Sequence, residues 1–208
     1  FSMDGVAADL PAICDLAEEF DALVVVDDSH GIGVLGRSGR GSVDEQGVAG
    51  RVDLVTGTFG KALGGAGGGF AAGRGPLVDL LRQSARPYVF SNALPPTTVE
   101  VARFALRELD RDEARRKQLL SNTVVLREAL GRQGLEVLGS EHPIVPVMIP
   151  DAAAARAVAA RLLEEGILVV ALAHPVVAKG ASRIRLQASA AHDPIELATA
   201  ADVVGNVV

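Results

Sequence analysis

Lys61 is the residue whose surroundings first suggest chemistry. It lies in the short segment from Thr58 to Leu63, without a neighbouring carboxylate to pair with its charge. An amine held among small and apolar groups can act as a nucleophile toward a carbonyl carbon, because desolvation lowers the pKa of a lysine. Taken alone, the position also fits an ordinary surface lysine at a turn.

Two phosphate-binding patterns do not fit the glycines around Lys61. A Walker loop would need glycine where the sequence has Val55, and Ser or Thr where it has Ala62. A dinucleotide fingerprint in the run Gly64–Gly69 is also disfavoured, because these glycines follow the lysine and lead into a predicted strand instead of a helix. Nucleotide binding is therefore not the chemistry we predict for Lys61.

Asp27 and His30 follow the apolar run Ala22–Val26. A carboxylate at the end of a buried strand needs a partner or must be neutral. The protonated ring nitrogen of pyridoxal phosphate is such a partner, and an Asp beside it makes the ring an electron sink. A metal ion is the alternative ligand for Asp27, Asp28 and His30, but no further ligands follow at a recognisable spacing, so we predict no metal site.

The elements around these residues predict an α/β protein. Residues 9–20 have helical spacing of apolar side chains, and two Val-rich runs, Ala22–Val26 and Val52–Thr58, predict strands that end in polar residues. We expect the first strand to be buried on both faces, as in a parallel sheet. In open α/β sheets, functional groups gather beyond the carboxyl ends of such strands.

The remaining chain continues the alternation of helices and strands. The run Gly64–Gly69 predicts a tight turn into a strand, and the stretch from Pro96 to about Arg132 predicts a long helix broken near Asp110. The other predicted helices are Gly75–Ser84, Ala152–Glu165 and Pro194–Val207, and the later predicted strands are Leu135–Leu138, Ile144–Ile149, Ile167–Ala173 and Arg183–Ala188. The later elements predict a second, smaller α/β unit.

Composition excludes some partners. The chain has 208 residues, 49% of them hydrophobic, and a net charge of −6, which argues against nucleic acid or an anionic membrane as the main partner. No apolar run has the length of a membrane span. Cys14, the single cysteine, fits a small core residue and suits the reducing cytoplasm, where we expect the protein. Because the sequence opens in mid-pattern at Phe1, we expect it to be a piece of a longer protein.

Three segments together resemble the α-oxoamine synthases: Phe1–Gly5, Val26–His30 and Thr56–Lys61. These are fold-type I pyridoxal-phosphate enzymes that condense an amino acid with an acyl-CoA. The resemblance extends over essentially the whole chain. It implies that residues 1–110 are the C-terminal part of a large, mostly parallel-sheet domain that binds the cofactor. Residues 111–208 would then form a small C-terminal α/β domain.

The resemblance implies a role for each matching residue. Lys61 would form a Schiff base with pyridoxal phosphate and later carry the α-proton of the substrate, and Asp27 would pair with the ring nitrogen. His30 and Ser2 would contact the phenolic oxygen of the cofactor. Arg185 would hold the substrate carboxylate, to which its planar fork is matched. Thr58 would contact the cofactor phosphate in its own subunit. In a homodimer, Phe90 and Ser91 would contact the cofactor phosphate of the neighbouring subunit.

Two further residues near Arg185 receive weaker assignments. We expect Arg183 on the opposite face of the strand and give it a structural role. His192 matches the family's pattern near the site, but no role is assigned to it.

The segments Asp28–His30, Arg86–Asn92 and Arg183–His192 are most similar to family members that use glycine and acetyl-CoA. The expected reaction yields 2-amino-3-oxobutanoate and CoA, a step of threonine degradation. One alternative is another amino acid or acyl-CoA, as in members that make 8-amino-7-oxononanoate. The other is a truncated product without activity. In the family, an earlier half of the chain supplies a Gly-rich turn at the phosphate and a histidine that stacks on the ring.

Overall fold

The computed structural model describes residues 1–64, 67–139 and 141–208, which form two compact units. One unit is Ala8–Glu113, and the other joins Phe1–Ala7 to Ala114–Val208. The helices are α1 (Leu10–Glu19), α2 (Ser42–Glu45), α3 (Gly75–Ser84), α4 (Arg86–Val89), α5 (Pro96–Leu109), α6 (Glu113–Arg132), α7 (Ala152–Glu164) and α8 (Pro194–Val207). The strands are β1 (Val25–Asp27), β2 (Leu54–Thr58), β3 (Gly69–Gly73), β4 (Ile144–Met148), β5 (Val170–Leu172) and β6 (Arg183–Gln187).

The sheet of the Ala8–Glu113 unit has the strand order β1-β2-β3. Strands β1 and β2 are parallel, with Asp27 opposite Thr56, and β3 returns antiparallel to β2. Because β1 and β2 run in the same direction, their carboxyl ends lie at one edge of the sheet. The segments that follow Asp27 and Thr58 therefore begin side by side.

The core of this unit lies on one side of β1. Helix α1 begins after Asp9, whose carboxylate accepts a hydrogen bond from the N–H of Ala12, and Pro11 occupies its first turn. The side chain of Cys14 is 1% exposed, so the prediction of a small core residue is confirmed. The buried cluster consists of Leu10, Cys14, Val24, Val26, Val43 and Val48.

The expectation that Ala22–Val26 is buried on both faces is wrong. Val24 and Val26 are buried, whereas Val25 between them is 60% exposed, so only one face of β1 meets the core. The strand also begins later than predicted. The N–H of Val24 donates to the carboxylate of Asp53 at 2.8 Å and is not part of the strand ladder.

The unit that contains Ala114–Val208 has an antiparallel sheet with the order β4-β6-β5. Its core cluster is formed by side chains from α6, α7, α8 and the inner face of the sheet. Helix α7 is capped by Asp151, whose carboxylate accepts from the N–H of Ala154 at 2.7 Å, and α8 is capped by Asp193. The buried residues are Leu126, Ala129, Leu130, Val145, Val147, Ile149, Ala155, Val158, Leu162, Ile184, Leu186, Ala188, Leu197, Ala201 and Val204.

Most predicted elements agree with the structure, and the exceptions have local causes. The break near Asp110 is confirmed, because α5 ends at Leu109 and α6 begins at Glu113. The predicted strand Leu135–Leu138 is reduced to a single bridge between Val137 and Val147. It ends at Gly139, where φ is +80° and the chain turns away. The predicted turn Gly64–Gly69 includes positions 65 and 66, which lie outside the described residues.

The two compact units divide near the predicted domain boundary but not in the same way. The predicted boundary follows residue 110, and the units separate between Glu113 and Ala114. The segment Phe1–Ala7 belongs to the compact unit that holds the C-terminal residues. The division into domains 1–110 and 111–208 stays a prediction. Within the described residues, no helix is both long enough and apolar enough to cross a membrane.

Candidate active site

The carboxyl ends of β1 and β2 carry the predicted chemical residues of the Ala8–Glu113 unit. Asp27 is the last residue of β1, and Lys61 follows three residues after the end of β2. The loop after Asp27 also approaches the lysine segment. A Cβ on Gly33 would lie 2.7 Å from the Cβ of Ala62, so only a glycine allows this contact. The sheet thus brings together two segments that are far apart in sequence.

Asp27 is an exposed carboxylate whose surroundings favour the charged form. Hydrogen bonding from the side chain of Ser29 and then from its backbone N–H, at 3.0 Å, holds the pKa of Asp27 below its ordinary value. Burial raises that pKa by less than either hydrogen bond lowers it, and the positive charges of Lys61 and His30 lower it further by smaller amounts. Asp27 is therefore ready to pair with a cationic group of a ligand.

Asp28 has the opposite environment, although it is the next residue. It is only 4% exposed, and burial raises its pKa above the ordinary value. Its carboxylate accepts hydrogen bonds from the N–H of Ser42 at 2.9 Å and from the Ser42 hydroxyl at 2.7 Å, which partly offset that rise. The two neighbouring carboxylates thus face opposite sides, one toward solvent and one into the unit.

The anchoring of the loop by Asp28 and Ser42 was missed in the sequence. A Cβ on Gly31 or on Gly41 would lie 2.0 Å or 1.9 Å, respectively, from an oxygen of Asp28. Both glycines therefore allow the loop to close around this carboxylate, and Gly41 also has a φ of +96°. The glycines at regular short intervals between His30 and Ser42 were the available signal. They mark backbone that packs closely on a buried group.

Lys61 is exposed, so the expectation of a lysine desolvated among apolar groups is not met in this structure. Of the neighbours that suggested desolvation, Leu63 is buried and Ala62 is exposed. Lys61 nevertheless acts on the site, because its charge helps to keep Asp27 ionised. The position supplies an accessible amine close to a carboxylate.

Thr58 holds the end of β2 to the strand that follows it. Its hydroxyl donates to the carbonyl of Gly68 at 3.2 Å and accepts from the N–H of Gly60 at 3.2 Å. The N–H of Phe59 donates to the same Gly68 carbonyl, and the Phe59 ring lies 5.3 Å from that of Phe70. A phosphate contact by Thr58 would need its O–H to turn from Gly68, and it stays a prediction.

Phe90 and Ser91 follow the short helix α4, and both are exposed. The Phe90 side chain is 79% exposed, and Tyr88 beside it is 63% exposed. Such exposure of large apolar side chains is typical of surfaces that contact another molecule. The contact of Phe90 and Ser91 with a cofactor in a neighbouring subunit stays a prediction.

Ser2 and Arg185 belong to the other compact unit and contact each other there. Nη1 of Arg185 donates to the carbonyl oxygen of Ser2 at 2.9 Å. Within the described residues this is the only hydrogen bond of the Arg185 guanidinium, so Nε and Nη2 keep their donors for a ligand. Arg185 is half-buried on β6, a position that restricts the side chain and leaves part of it accessible.

The expectation that Arg183 faces away from Arg185 is wrong. Residues two apart on a strand point to the same side, and both arginines reach the N-terminal turn. The structural role of Arg183 is supported. Its buried guanidinium donates from Nε and Nη2 to the carbonyl of Ala181 at 3.0 and 2.9 Å and is ion-paired with Asp4.

His192 has a local role that the sequence did not reveal. Its Nδ1 accepts from the N–H of Ser189 at 3.2 Å. Asn122, which is fully buried, donates from Nδ2 to the carbonyls of Ser189 and His192, each at 2.8 Å. Asp193 caps α8, because its carboxylate accepts a hydrogen bond from the N–H of Ile195 at 2.7 Å. The loop after β6 is thus held by a buried amide.

The groups at the edge of β1 and β2 fit pyridoxal phosphate. Asp27 matches a protonated ring nitrogen, because it is both ionised and accessible, and Lys61 offers an amine nearby for the aldehyde. No group of three metal-ligating side chains occurs in residues 1–64, 67–139 or 141–208. A carboxylate and an amine at one site are suited to an organic ligand that has both a cationic group and an electrophilic carbon.

Comparison with known proteins agrees with this interpretation. The 2-amino-3-ketobutyrate coenzyme A ligase of Salmonella typhimurium is 48% identical over 97% of this chain and 51% of that protein. The 8-amino-7-oxononanoate synthase of Thermosipho melanesiensis is 44% identical over 95% of this chain and 50% of that protein. A solved serine palmitoyltransferase from S. paucimobilis with a bound PLP–myriocin aldimine has a TM-score of 0.93. It is 31% identical, and the match covers all of this chain and 52% of that one.

The chain spans about half the length of the curated relatives it matches. These relatives confirm the predicted resemblance to the α-oxoamine synthases, and the structural match confirms the predicted fold-type I pyridoxal-phosphate transferase fold. The profile of aminotransferases of class I and II matches residues 1–204. Because that match includes nearly every residue, the chain belongs to the aminotransferase class I and II family.

Proposed function

We propose that the whole protein is a pyridoxal-phosphate-dependent acyltransferase that condenses glycine with acetyl-CoA to 2-amino-3-oxobutanoate and CoA. The observation that carries this proposal is the ionised, accessible carboxylate of Asp27 at the end of β1, with the charge of Lys61 close to it. The name of the Salmonella relative supports the choice of substrates.

Pyridoxal phosphate, when bound, supplies an aldehyde that links to amines and a ring that accepts the electron pair left by a lost α-proton. Asp27 would pair with the ring nitrogen and keep it protonated. Its lowered pKa keeps the carboxylate charged for that task at neutral pH. Asp28 cannot replace it, because its oxygens are enclosed by Ser42, Gly31 and Gly41.

Lys61 would hold the cofactor and then act as the base. The Cα–H bond of glycine breaks, and the proton goes to Nζ of Lys61. A carbon–carbon bond would then form between glycine Cα and the acetyl carbonyl carbon as the carbon–sulfur bond breaks, and the departing sulfur of CoA would take up the proton held by Lys61. The exposed position of Lys61 is compatible with a substrate that enters from solvent.

The remaining predicted contacts divide between cofactor and substrate. Arg185 would bind the glycine carboxylate through Nε and Nη2, the side of the guanidinium that Ser2 does not occupy. His30 and Ser2 would contact the phenolic oxygen, and Thr58 the phosphate. In a homodimer, Phe90 and Ser91 would reach the cofactor of the neighbouring subunit, which agrees with their exposure. We also propose a cytoplasmic location, which the single cysteine of the sequence suits.

An acyl-CoA panel assay on the full-length protein tests this function. With glycine as the amino acid, acetyl-CoA should give the highest kcat/KM, and longer acyl chains should give progressively lower values. The similarity to an 8-amino-7-oxononanoate synthase favours one second candidate, the same chemistry with another amino acid or a longer acyl-CoA. A preference for such a pair would establish that candidate. The same assay on residues 1–208 alone tests the alternative of a product without activity.

A further inference from the structure

The segment Phe1–Gly5 forms a turn that is tightly bound within its own compact unit. The N–H groups of Asp4 and Gly5 both donate to the carbonyl of Phe1, at 3.1 and 3.0 Å. Gly5 has a φ of +63°, and a Cβ there would lie 2.3 Å from the carbonyl oxygen of Ile144. A Cβ on Gly139 would likewise lie 2.7 Å from the carbonyl oxygen of Asp4. Backbone contact on two sides therefore fixes where the turn can lie.

The turn is bound to β6 by two arginines on the same face. Arg183 is ion-paired with the carboxylate of Asp4, and its Nη1 also donates to the carbonyl of Met3 at 3.4 Å. Arg185, two residues further on, donates from Nη1 to the carbonyl of Ser2 at 2.9 Å. The Arg183 side chain is 7% exposed and that of Asp4 is 40% exposed, so the guanidinium is buried and the carboxylate that pairs with it is partly accessible to solvent. A charged hydrogen bond in which one partner is buried holds its geometry better than an ion pair between two exposed side chains.

We propose that Asp4 and Arg183 are positioning residues that set the direction of the Arg185 guanidinium through the turn. Arg183 holds Asp4, the turn carries Ser2, and the Ser2 carbonyl occupies Nη1 of Arg185. This leaves Nε and Nη2 as the edge of the fork that meets a carboxylate. The proposal rests on the proposed function, in which Arg185 binds the glycine carboxylate. It adds two residues to which no role toward the substrate had been assigned.

The mechanism makes a selective prediction about ligands. If Asp4 acts only through Arg185, its loss should weaken binding of amines that carry a carboxylate and should leave other amines unaffected. A general structural role would weaken both kinds of ligand together. Glycine and methylamine provide this contrast, because both present an amine to the cofactor and only glycine presents a carboxylate.

The experiment uses the full-length protein loaded with pyridoxal phosphate and measures the apparent Kd of glycine and of methylamine from the change in cofactor absorbance. Asp4→Asn should raise the Kd of glycine about tenfold, which corresponds to one weakened charged hydrogen bond, and should change that of methylamine less than about twofold. Arg185→Lys serves as the reference for loss of the fork. Glu128→Gln removes a surface ion pair with Arg132 and should change neither Kd.

Hydrogen exchange provides a readout that does not depend on ligand binding. In Asp4→Asn the amides of residues 1–5 should exchange faster, with or without cofactor, and exchange in Glu128→Gln should match the unmodified protein. If Asp4→Asn does not fold, Asp4→Glu keeps the charge, displaces it by one methylene and should show the same selective loss to a smaller degree.

The outcomes separate this inference from the proposed function. A selective loss of glycine binding in both Arg185→Lys and Asp4→Asn supports both. A selective loss in Arg185→Lys alone, or equal losses for the two amines in Asp4→Asn, overturns the positioning role and leaves the proposed function intact. If Arg185→Lys itself shows no selectivity, the assignment of Arg185 and the inference that rests on it both fail.

Discussion

The two compact units bury their apolar side chains to different extents. In the described part of the chain, the unit with Ala114–Val208 has a core cluster of fifteen buried residues, whereas the corresponding cluster in Ala8–Glu113 has six. In the latter unit Leu16, Phe20 and Val25 are 56%, 71% and 60% exposed. The unit that holds Asp27 and Lys61 is therefore the less closed of the two when each is considered by itself.

The predicted catalytic residues Asp27 and Lys61 and the larger buried core therefore lie in different units of the chain. Asp27 and Lys61 are both exposed, at strand ends where ligands can approach. The unit with Ala114–Val208, called the C-terminal unit below, consists mainly of packed core side chains. Its one predicted substrate-binding residue, Arg185, lies half-buried on β6 and is hydrogen-bonded to the N-terminal turn. Substitutions at Asp27 and Lys61 should thus act on catalysis, and those in the core cluster that contains Leu130 mainly on folding.

The largest effect is expected at Lys61. Lys61→Ala in the full-length protein should lower kcat by roughly 10³-fold or more, because it removes both the covalent attachment and the base. The unfolding transition should change little, since the side chain is exposed. Lys179→Ala is the matched control and should retain full activity. If Lys61→Ala kept more than a tenth of the normal kcat, the catalytic role assigned to the unit Ala8–Glu113 would be wrong.

The two neighbouring aspartates should respond differently to the same substitution. Asp27→Asn should lower kcat by about 10²-fold or more, because an amide cannot keep the ring nitrogen protonated. Asp28→Asn should reduce activity less and should instead cost about 1–3 kcal/mol of stability, because an amide cannot accept both Ser42 hydrogen bonds. Steady-state kinetics and denaturant unfolding of each variant measure the two effects. Equal losses of kcat would contradict the opposite orientation of the two carboxylates.

Core truncation should sharpen the contrast between the units. Leu130→Ala, at a side chain with no exposure, should destabilise the C-terminal unit by about 2–5 kcal/mol. Leu16→Ala, at a side chain that is more than half exposed, should cost less than about 1 kcal/mol in residues 1–208. Denaturant titration gives both values. Limited proteolysis of residues 1–208 should leave a resistant C-terminal piece, and a resistant N-terminal piece in its place would reverse the comparison.

The smallest expected effect is a difference in the pH dependence of stability. Asp28 has a folded-state pKa above the ordinary 3.8, so its contribution to stability is present below that pH and is lost as pH rises through the folded pKa. Asp27 has a folded-state pKa below 3.8, so its contribution is present above that pH and is lost as pH falls.

Unfolding curves at several pH values near 3.8 measure this difference. Relative to Asp28→Asn, the unmodified protein should lose stability as pH rises. Relative to Asp27→Asn, it should lose stability as pH falls. Parallel curves for both variants would mean that the two carboxylates share one environment.

The sequence predicted well those features that depend on local pattern. The break near Asp110, helix α8 and the polar ends of β1 and β2 follow from caps, prolines and periodicity, and the structure agrees. The single buried face of β1 was not predicted, because a short run of valines does not show what covers each side. Identification of the candidate site came mainly from the resemblance around Lys61 and Asp27, with periodicity contributing little.

The contacts that the sequence did not predict join residues distant along the chain. Ser42 binds Asp28, Asn122 binds the loop before α8, and Arg183 binds Asp4. Each pair consists of common polar residues, and no local spacing links one member to the other. The error about Arg183 had a different cause, since the two-residue period of a strand already places it beside Arg185.

The most direct test of the central claim is to locate the cofactor's attachment chemically. The sequence contains three lysines, Lys61, Lys117 and Lys179. Borohydride reduction of the yellow full-length protein, followed by peptide mapping, should place the cofactor on Lys61 and leave the peptides with Lys117 and Lys179 unmodified. Label on Lys117 or Lys179, or no label in residues 1–208, would contradict the assignment of Lys61 and with it the proposed site at the ends of β1 and β2.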